Sequence, residues 1–390
     1  MKLSKTVISI CISVMAIAVL DSVYKPVYGI PAFARKYNFS CSTCHDPFPR
    51  LKEYGEEFAG NGFALADQEE PPRAFRNTGD DRLTLMRELP LGIRFDAYYS
   101  LTPEEEVTND FKHPWGLKVL SGGNVAKNVG YYFYFYMSEH GEIAGIEDAY
   151  VHFNNIGGTE LDIMVGQFQI SDPLLKRELR LTYEDYEPYK TKVGQSLANL
   201  KYDRGIIFTY GTETGTDMAL EILNGTGKDE SEDGNYDFDS DKSFFFRIVQ
   251  DMKLFNLGGF TYYGNEKANG RKNEYIFAGP DINISNDHAD FNLQYIYRRD
   301  NNPTFTAAPG DDIITEGIIG ELFVMPKDYL YTVFLYNKIW DNSDLFNTEY
   351  ETATANLTYL YNTNLKMMAE FTYDIEREST RFILGFVTGF

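Results

Sequence analysis

Leu91-Gly92-Ile93-Arg94-Phe95-Asp96-Ala97-Tyr98-Tyr99-Ser100 sets the pattern that most of the chain repeats. Leu91, Ile93, Phe95, Ala97 and Tyr99 alternate with Gly92, Arg94, Asp96, Tyr98 and Ser100, the period of two that gives a strand one apolar and one polar face. The far end of the chain repeats the pattern, with Phe382, Leu384, Phe386 and Phe390 on one face. Between these ends about sixteen such segments can be placed. Their centres lie near Phe95, Leu117, Tyr134, Val151, Val165, Ile207, Leu220, Phe246, Phe260, Phe277, Leu293, Ile318, Phe334, Leu357, Ala369 and Leu384.

The connections alternate in length. Long ones are expected at Thr102 to Pro114, Ser171 to Asn199, Asn224 to Asp241, Asp300 to Asp311 and Asp341 to Thr348. Short turns are expected at Asn154 to Gly158, Pro326 to Asp328 and Tyr361 to Asn364. Outer-membrane barrels have this asymmetry, and closing the sheet satisfies every backbone group in lipid without an apolar helix. An even strand count and a terminal Phe390 within an alternating strand agree with it. The fold class expected is therefore an all-β transmembrane barrel of about 16 antiparallel strands. The competing arrangement is a soluble, exported domain of stacked sandwiches, which explains neither the loop asymmetry nor the aromatic content.

That content is 15%, with 29 Tyr and 29 Phe against 2 Trp. With a mean hydropathy of -0.36, it suits half-exposed strands better than a helical core. The formal net charge of -22 repels phosphate backbones and excludes nucleic acid as a partner. In the fourth segment Asp148, Tyr150 and His152 alternate with Ala149, Val151 and Phe153, which turns His152 toward the lumen. The longest loop carries Lys176, Arg177, Glu178 and Arg180, then Tyr183 to Tyr189, and is expected to form a short helix capping the outer mouth. The acidic run Asp229 to Asp241 lacks the glycine of a calcium loop and reads as solvated. No nucleophile-base-acid arrangement and no phosphate-binding glycine loop is present.

Upstream, residues 1–29 read as a signal peptide: Lys2 and Lys5 precede an apolar run from Thr6 to Leu20. Cleavage sites are offered at Val27-Tyr28-Gly29 and at Ala32-Phe33-Ala34. Residues 30–85 form a small domain around Phe39-Ser40-Cys41-Ser42-Thr43-Cys44-His45. The C-x-x-C-H pattern attaches c-type haem: Cys41 and Cys44 bond its vinyl groups, and His45 is the proximal iron ligand. The other readings are a structural disulfide, a redox dithiol or half a zinc site, for which further ligands are lacking nearby. The chain holds 3 Cys, and Cys11 falls in the signal segment, leaving this pair as the only cysteines of the mature protein.

After the motif, Phe48, Leu51, Tyr54, Gly55 and Phe58 recur at helical spacing. An amphipathic helix is expected from near Pro47 to Gly60-Asn61-Gly62, with its apolar stripe covering the haem. Gln68 to Asp81 reads as a linker, and residues 86–390 are the barrel. For the distal side of the iron, Met86 is the nearest downstream sulfur. His113, His140, His152 and His288 are the alternatives, as is an open or water-bound iron.

The order of signal, one haem motif and barrel resembles the fused monohaem cytochrome-porin family, whose best-known members are outer-membrane iron(II) oxidases. In sequence the resemblance rests on Ala34-Arg35-Lys36-Tyr37, Cys41 to His45, and Leu51 through Gly62. It implies one covalent haem c, with Cys41 and Cys44 holding it and His45 on its iron, carried in or under a barrel lumen. The function implied is an electron conduit of the bacterial outer membrane, of Fe(II):cytochrome c oxidoreductase type. Single electrons would pass between an extracellular donor such as Fe(II) and a periplasmic c-type cytochrome or other carrier, with lipid around the barrel and the C-terminus periplasmic. The alternatives are a porin or solute channel plugged or gated by a cytochrome domain, and outward electron flow to an extracellular acceptor.

Overall fold

The computed structural model describes residues 31–37, 39–65, 79, 83, 86, 89–228, 234–237, 239–307, 310–343, 346 and 348–390. The signal segment, the first cleavage site and nearly all of the linker lie outside these residues. So does part of the acidic loop.

Sixteen strands close into one antiparallel barrel. They are β1 Leu91–Leu101, β2 Asn109–Ala126, β3 Val129–Glu139, β4 Gly145–Phe153, β5 Leu161–Gln169, β6 Tyr202–Gly211, β7 Thr216–Leu223 and β8 Ser243–Asp251. The second half comprises β9 Asn256–Ala268, β10 Arg271–Asn286, β11 Ala289–Asp300, β12 Ile313–Lys327, β13 Leu330–Asp341, β14 Tyr350–Asn362, β15 Leu365–Asp374 and β16 Ser379–Gly389. Every expected centre falls inside its strand. Each strand pairs with its sequence neighbours, and β1 meets β16 in a register running from Arg94 opposite Gly389 to Leu101 opposite Phe382. The seam is locked at its end by Ile93 and Phe390, whose backbones exchange hydrogen bonds of 2.8 and 2.9 Å. Closure leaves no edge strand, and a pair of stacked sandwiches is ruled out.

The outer face is apolar and exposed: Val165 is 42%, Phe244 46% and Phe334 49% accessible. Water does not favour such a belt, whereas hydrocarbon does. The inner face is buried and mixed, with Glu221, Asn273, Arg298, Asp300, Asn337 and Thr358 all at or below 2% beside equally buried Phe245, Tyr275, Phe277 and Ile319. His152 faces inward as its alternation requires, and its ring nitrogen Nε2 lies 3.6 Å from Asp162.

The longest connections gather at one end, which also carries the short connections 140–144 and 375–378, and the other end has only short turns. The Asn269–Gly270 turn is short although it lies at the long-loop end. The first long connection stops at Thr108, because β2 starts at Asn109 and carries Pro114 through an interruption of its pairing with β1 between Asp96 and Tyr98. A proline lacks a ladder donor and fits at such an irregularity.

The connection 170–201 does not cap the mouth with a helix. It forms two 3-10 turns, Arg177–Leu179 and Glu187–Lys190, and folds into the lumen. The inner wall explains the inversion, since its apolar side chains pack on Tyr186, Tyr189, Ala198 and Leu200 and its polar ones supply partners to the loop's backbone. Glu370 accepts hydrogen bonds from the Tyr183 and Glu184 amides at 2.7 and 2.8 Å. Glu266 does the same for Leu197 and Ala198 at 2.6 and 3.0 Å, while Arg298 donates to the carbonyls of Thr191 and Ala198 at 2.9 Å each. Buried backbone groups are thus satisfied by strand side chains.

Candidate functional site

The segment 31–65 fills the other half of the lumen, at the short-turn end. It holds three helices: α1 Pro31–Tyr37, α2 Cys41–Cys44 and α3 Glu53–Gly60. Ser40 caps α2, its hydroxyl accepting from the Ser42 amide at 3.3 Å. The single turn places Cys41 and Cys44 on neighbouring positions of one face, Cys41 buried and Cys44 half-buried, and both are thiols. The disulfide reading is therefore not realised. Among the described residues no group of three or more His, Cys, Asp or Glu is gathered in one place.

His45 ends the turn, its amide bonded to the Cys41 carbonyl at 2.9 Å. Its Nδ1 lies 2.9 Å from the Pro49 carbonyl oxygen and 3.2 Å from that of Arg50. Such a bond fixes ring orientation and tautomer and leaves Nε2 to meet a metal. Burial pushes the His45 pKa down against those two acceptors, which keeps the imidazole in the neutral form that ligates iron. Burial likewise raises the Cys44 thiol, against the opposing charge of Lys52. The donor set fits covalent haem: two thiols on one turn and an imidazole whose second nitrogen is tied to backbone.

The helix after the motif begins at Glu53, not near Pro47. Pro47 and Pro49 lack amide donors and disfavour helical geometry in the residues before them, so 46–52 makes a loop closed by an antiparallel bridge between His45 and Leu51. Gly55 sits where a Cβ would collide with the Cys44 carbonyl, so α2 and α3 touch backbone to backbone. The apolar stripe is divided in use. Phe58 packs into an aromatic group with Phe33 (5.1 Å between ring centroids), Tyr37 (5.7 Å) and Phe63 (5.9 Å). Phe48 meets the His45 ring edge-on at 5.2 Å and joins a buried cluster with Tyr98, Met368, Ile383 and Val387 of the barrel wall.

Besides Phe48, three further contacts hold the segment in the lumen. Arg50 pairs with Asp290 of β11, and its guanidinium stacks over the Phe323 ring at 4.5 Å. Phe63 stacks on Tyr132 of β3 at 5.5 Å. Gly62, in the left-handed region at φ 64°, lies against Gly130, where a Cβ would stand 2.6 Å from the Gly62 carbonyl oxygen. Sequence reasoning found the motif but none of these anchors, because each depends on a strand far away in the chain.

The expected distal ligands are dispersed. The Met86 sulfur lies beside Gly123 on β2. His113 is exposed with its ring against Phe111, and His140 lies on Trp115 at the long-loop end. His152 is paired in the wall, and His288 is exposed in the β10–β11 turn.

Above the segment the 170–201 loop carries a dense set of charges. Arg177 binds Asp185 through two bonds, and Glu178 accepts from Lys118 at 3.2 Å and Tyr134 at 2.7 Å. Burial alone would raise both acids, but Arg180 and Arg177 hold Asp185, and Lys118 and Arg180 hold Glu178, well below the usual carboxylate range. Between loop and wall lies a cavity of ≈ 430 Å³, open mouth included, lined by Trp115, Glu139, His140, Arg180 and Tyr183 among others.

A closed sixteen-stranded antiparallel barrel with an apolar, exposed outer belt is a porin-like barrel. Solved structures agree. An anion-selective porin from Comamonas acidovorans matches with a TM-score of 0.58 at 8% identity, covering 78% of this chain and 99% of that one. OmpF of Salmonella typhi, in complex with daunomycin, gives 0.55 at 11%, covering 77% and 97%. The outer membrane channel DcaP of Acinetobacter baumannii gives 0.54 at 12%, covering 78% and 97%. No family model matches the chain, and no curated protein matches it. At these identities the likeness is one of fold.

Proposed function

We propose that this chain is an electron conduit of the bacterial outer membrane, with one haem c attached at Cys41 and Cys44 and His45 as its proximal ligand. The observation that carries the reading is the position of the C-x-x-C-H turn inside the barrel, anchored to the wall through Arg50 and Asp290. The haem would supply a one-electron centre within a hydrophobic span of roughly 25 Å that ions and soluble carriers do not cross unaided. The chain's own part is to hold that centre: α2 presents the thiols, Pro49 and Arg50 orient the imidazole, and the 170–201 loop narrows the path for water and ions. On this reading residues 30–85 are the cytochrome domain, residues 86–390 the barrel, Met86 a distal-ligand candidate and residues 1–29 the exported leader. The short-turn end and the C-terminus face the periplasm, where a c-type cytochrome or similar carrier exchanges electrons. The long loops face an external donor such as Fe(II).

A second reading has its own support. The similar structures are porins and outer-membrane channels, and taken alone they favour a solute channel gated by the N-terminal segment over a conduit. The filled lumen favours the conduit. The chain should be produced with the export and haem-attachment machinery, purified, and mixed with Fe(II) while the Soret band is followed. Stoichiometric haem reduced by Fe(II) is the expected result. A haem-free protein that conducts ions in planar bilayers with residues 31–65 in place would establish the channel and overturn the conduit.

A further inference from the structure

Aromatic rings lead from the outer mouth of the lumen to Tyr98, and the buried cluster of Tyr98, Met368, Ile383, Val387 and Phe48 carries on from there to the His45 turn. His140 is exposed in the β3–β4 connection, and its ring lies 3.8 Å from that of Trp115, centroid to centroid. The stack is held by the backbone, since the His140 amide donates to the Trp115 carbonyl at 2.8 Å. Trp115 is 4.9 Å from Tyr183 of the inserted loop and 6.2 Å from Tyr98 of β1, and Tyr183 and Tyr98 are 5.1 Å apart. Tyr98 belongs to the same buried cluster as Phe48, and Phe48 touches His45 at 5.2 Å. These rings come from two strands, two loops and the N-terminal segment, so no single element accounts for their alignment. Trp115, His140, Tyr98 and Tyr183 also line the cavity that opens between loop and wall.

We propose that His140, Trp115, Tyr183, Tyr98 and Phe48 form the route by which an electron crosses the lumen, with the cavity at His140 and Trp115 as the place where a small reductant delivers it. The proposal rests on the conduit reading and adds the path to it. One electron leaves the donor, which is oxidised by one unit, and ends on the group held at Cys41, Cys44 and His45, which is reduced by one. No bond is made or broken and no proton moves. The rings serve as bridging orbitals and are not themselves oxidised: Lys112 stands 5.2 Å over the Trp115 ring and Arg381 5.1 Å over the Tyr183 ring, and a cation there opposes loss of an electron from the ring. The insertion of the 170–201 loop thereby has a second use, because it brings Tyr183 between the mouth and Tyr98.

The test uses the full-length, haem-loaded protein with a ruthenium polypyridyl photoreductant attached at position 140 in the His140→Cys variant. In Trp115→Leu with Tyr183→Leu, haem reduction after the flash should slow at least about tenfold, which corresponds to about 1.4 kcal/mol in the barrier. Trp115→Phe with Tyr183→Phe should restore most of the rate, because an aromatic ring is returned at each place. The midpoint potential and reduction by soluble dithionite should be unchanged in all variants, which separates the route from a structural role. A haem-independent readout accompanies it: with Cys41→Ser, Cys44→Ser and Trp340→Phe, the Trp115 emission lifetime should lengthen on His140→Leu as the stacked ring is removed. Unchanged flash rates in the double leucine variant, with haem bound, overturn the route and leave the conduit standing. Absence of a Soret band overturns the conduit and the route together, and an unchanged emission lifetime overturns His140 as its outer terminus.

Discussion

Arg177 grips Asp185 inside the lumen through two hydrogen bonds, Nη2 to Oδ2 at 2.5 Å and Nε to Oδ1 at 3.1 Å, and both side chains are about nine-tenths buried. Arg180 and Lys190 add ion-pair distances of 3.8 and 3.4 Å to the same carboxylate. The pair fastens the 170–201 loop upon itself while Asn337 of β13 holds the Asp185 carbonyl at 2.9 Å. The loop's seat in the barrel is therefore electrostatic as much as steric.

This fastening should depend on pH in a definite direction. The folded Asp185 carboxyl titrates below its unfolded value, so its contribution is complete above about pH 3.9 and is lost as pH falls through that value toward the folded one. Glu178 behaves alike. Bilayer conductance should therefore stay low at neutral pH and rise below about pH 4 as the loop loosens. Asp185→Asn should weaken the loop's seat by roughly 3–5 kcal/mol at neutral pH, because it strands buried cations. Protease cleavage between Arg177 and Lys190 would register both effects.

Gly55→Ala should be harmful although alanine is the better helix former by about 1 kcal/mol. The added methyl meets the Cys44 carbonyl, and α2 must move away from α3. The expected cost is roughly 1–3 kcal/mol, together with reduced covalent haem attachment, measured by haem-stained denaturing gels. Glu56→Ala on the same helix serves as the control and should load normally.

Loss of the Arg50 tether should free the N-terminal segment from the wall. Arg50→Ala removes the pair with Asp290 and the stack over Phe323, at a cost of about 1.5–3 kcal/mol. Protease susceptibility near Arg50 should rise while the barrel keeps its heat-modifiable migration. Equal resistance to protease in variant and parent would show that Phe48 and Phe63 hold the segment by themselves.

The haem assignment predicts distinct spectra for each residue. Cys41→Ser and Cys44→Ser should each leave haem bonded through one thioether, with a shifted alpha band, and the double variant should carry none after denaturation. His45→Ala should bind haem without a proximal imidazole and shift the Soret band from its parent position. Met86→Ala should alter the potential and the sulfur-to-iron absorption only if the thioether occupies the distal side. An unchanged spectrum would assign that side to a histidine or to water.

Much of this was legible in the chain. Alternation is a local property, so Leu91 to Ser100 and its fifteen successors could be read one strand at a time, and an even count with asymmetric loops implied closure. The C-x-x-C-H turn was legible for the same reason, since its chemistry lies within five consecutive residues. His152 could be turned inward because a strand has only two faces.

What the chain did not reveal was where its non-strand segments go. The 170–201 loop reads as a polar cap, yet Glu370, 187 residues beyond Tyr183, and Glu266 and Arg298 supply the bonds that draw it inside. Arg50 finds Asp290 across 240 residues. Trp115, Tyr183 and His140 look like scattered aromatic and polar residues until closure brings their strands and loops together. The strands, their inward and outward faces and the C-x-x-C-H residues of the proposed haem site follow from local pattern alone. That the lumen is filled from both ends follows from closure, because the mixed polar and apolar inner face binds whichever segment matches its side chains, and that match exists only once the barrel has closed.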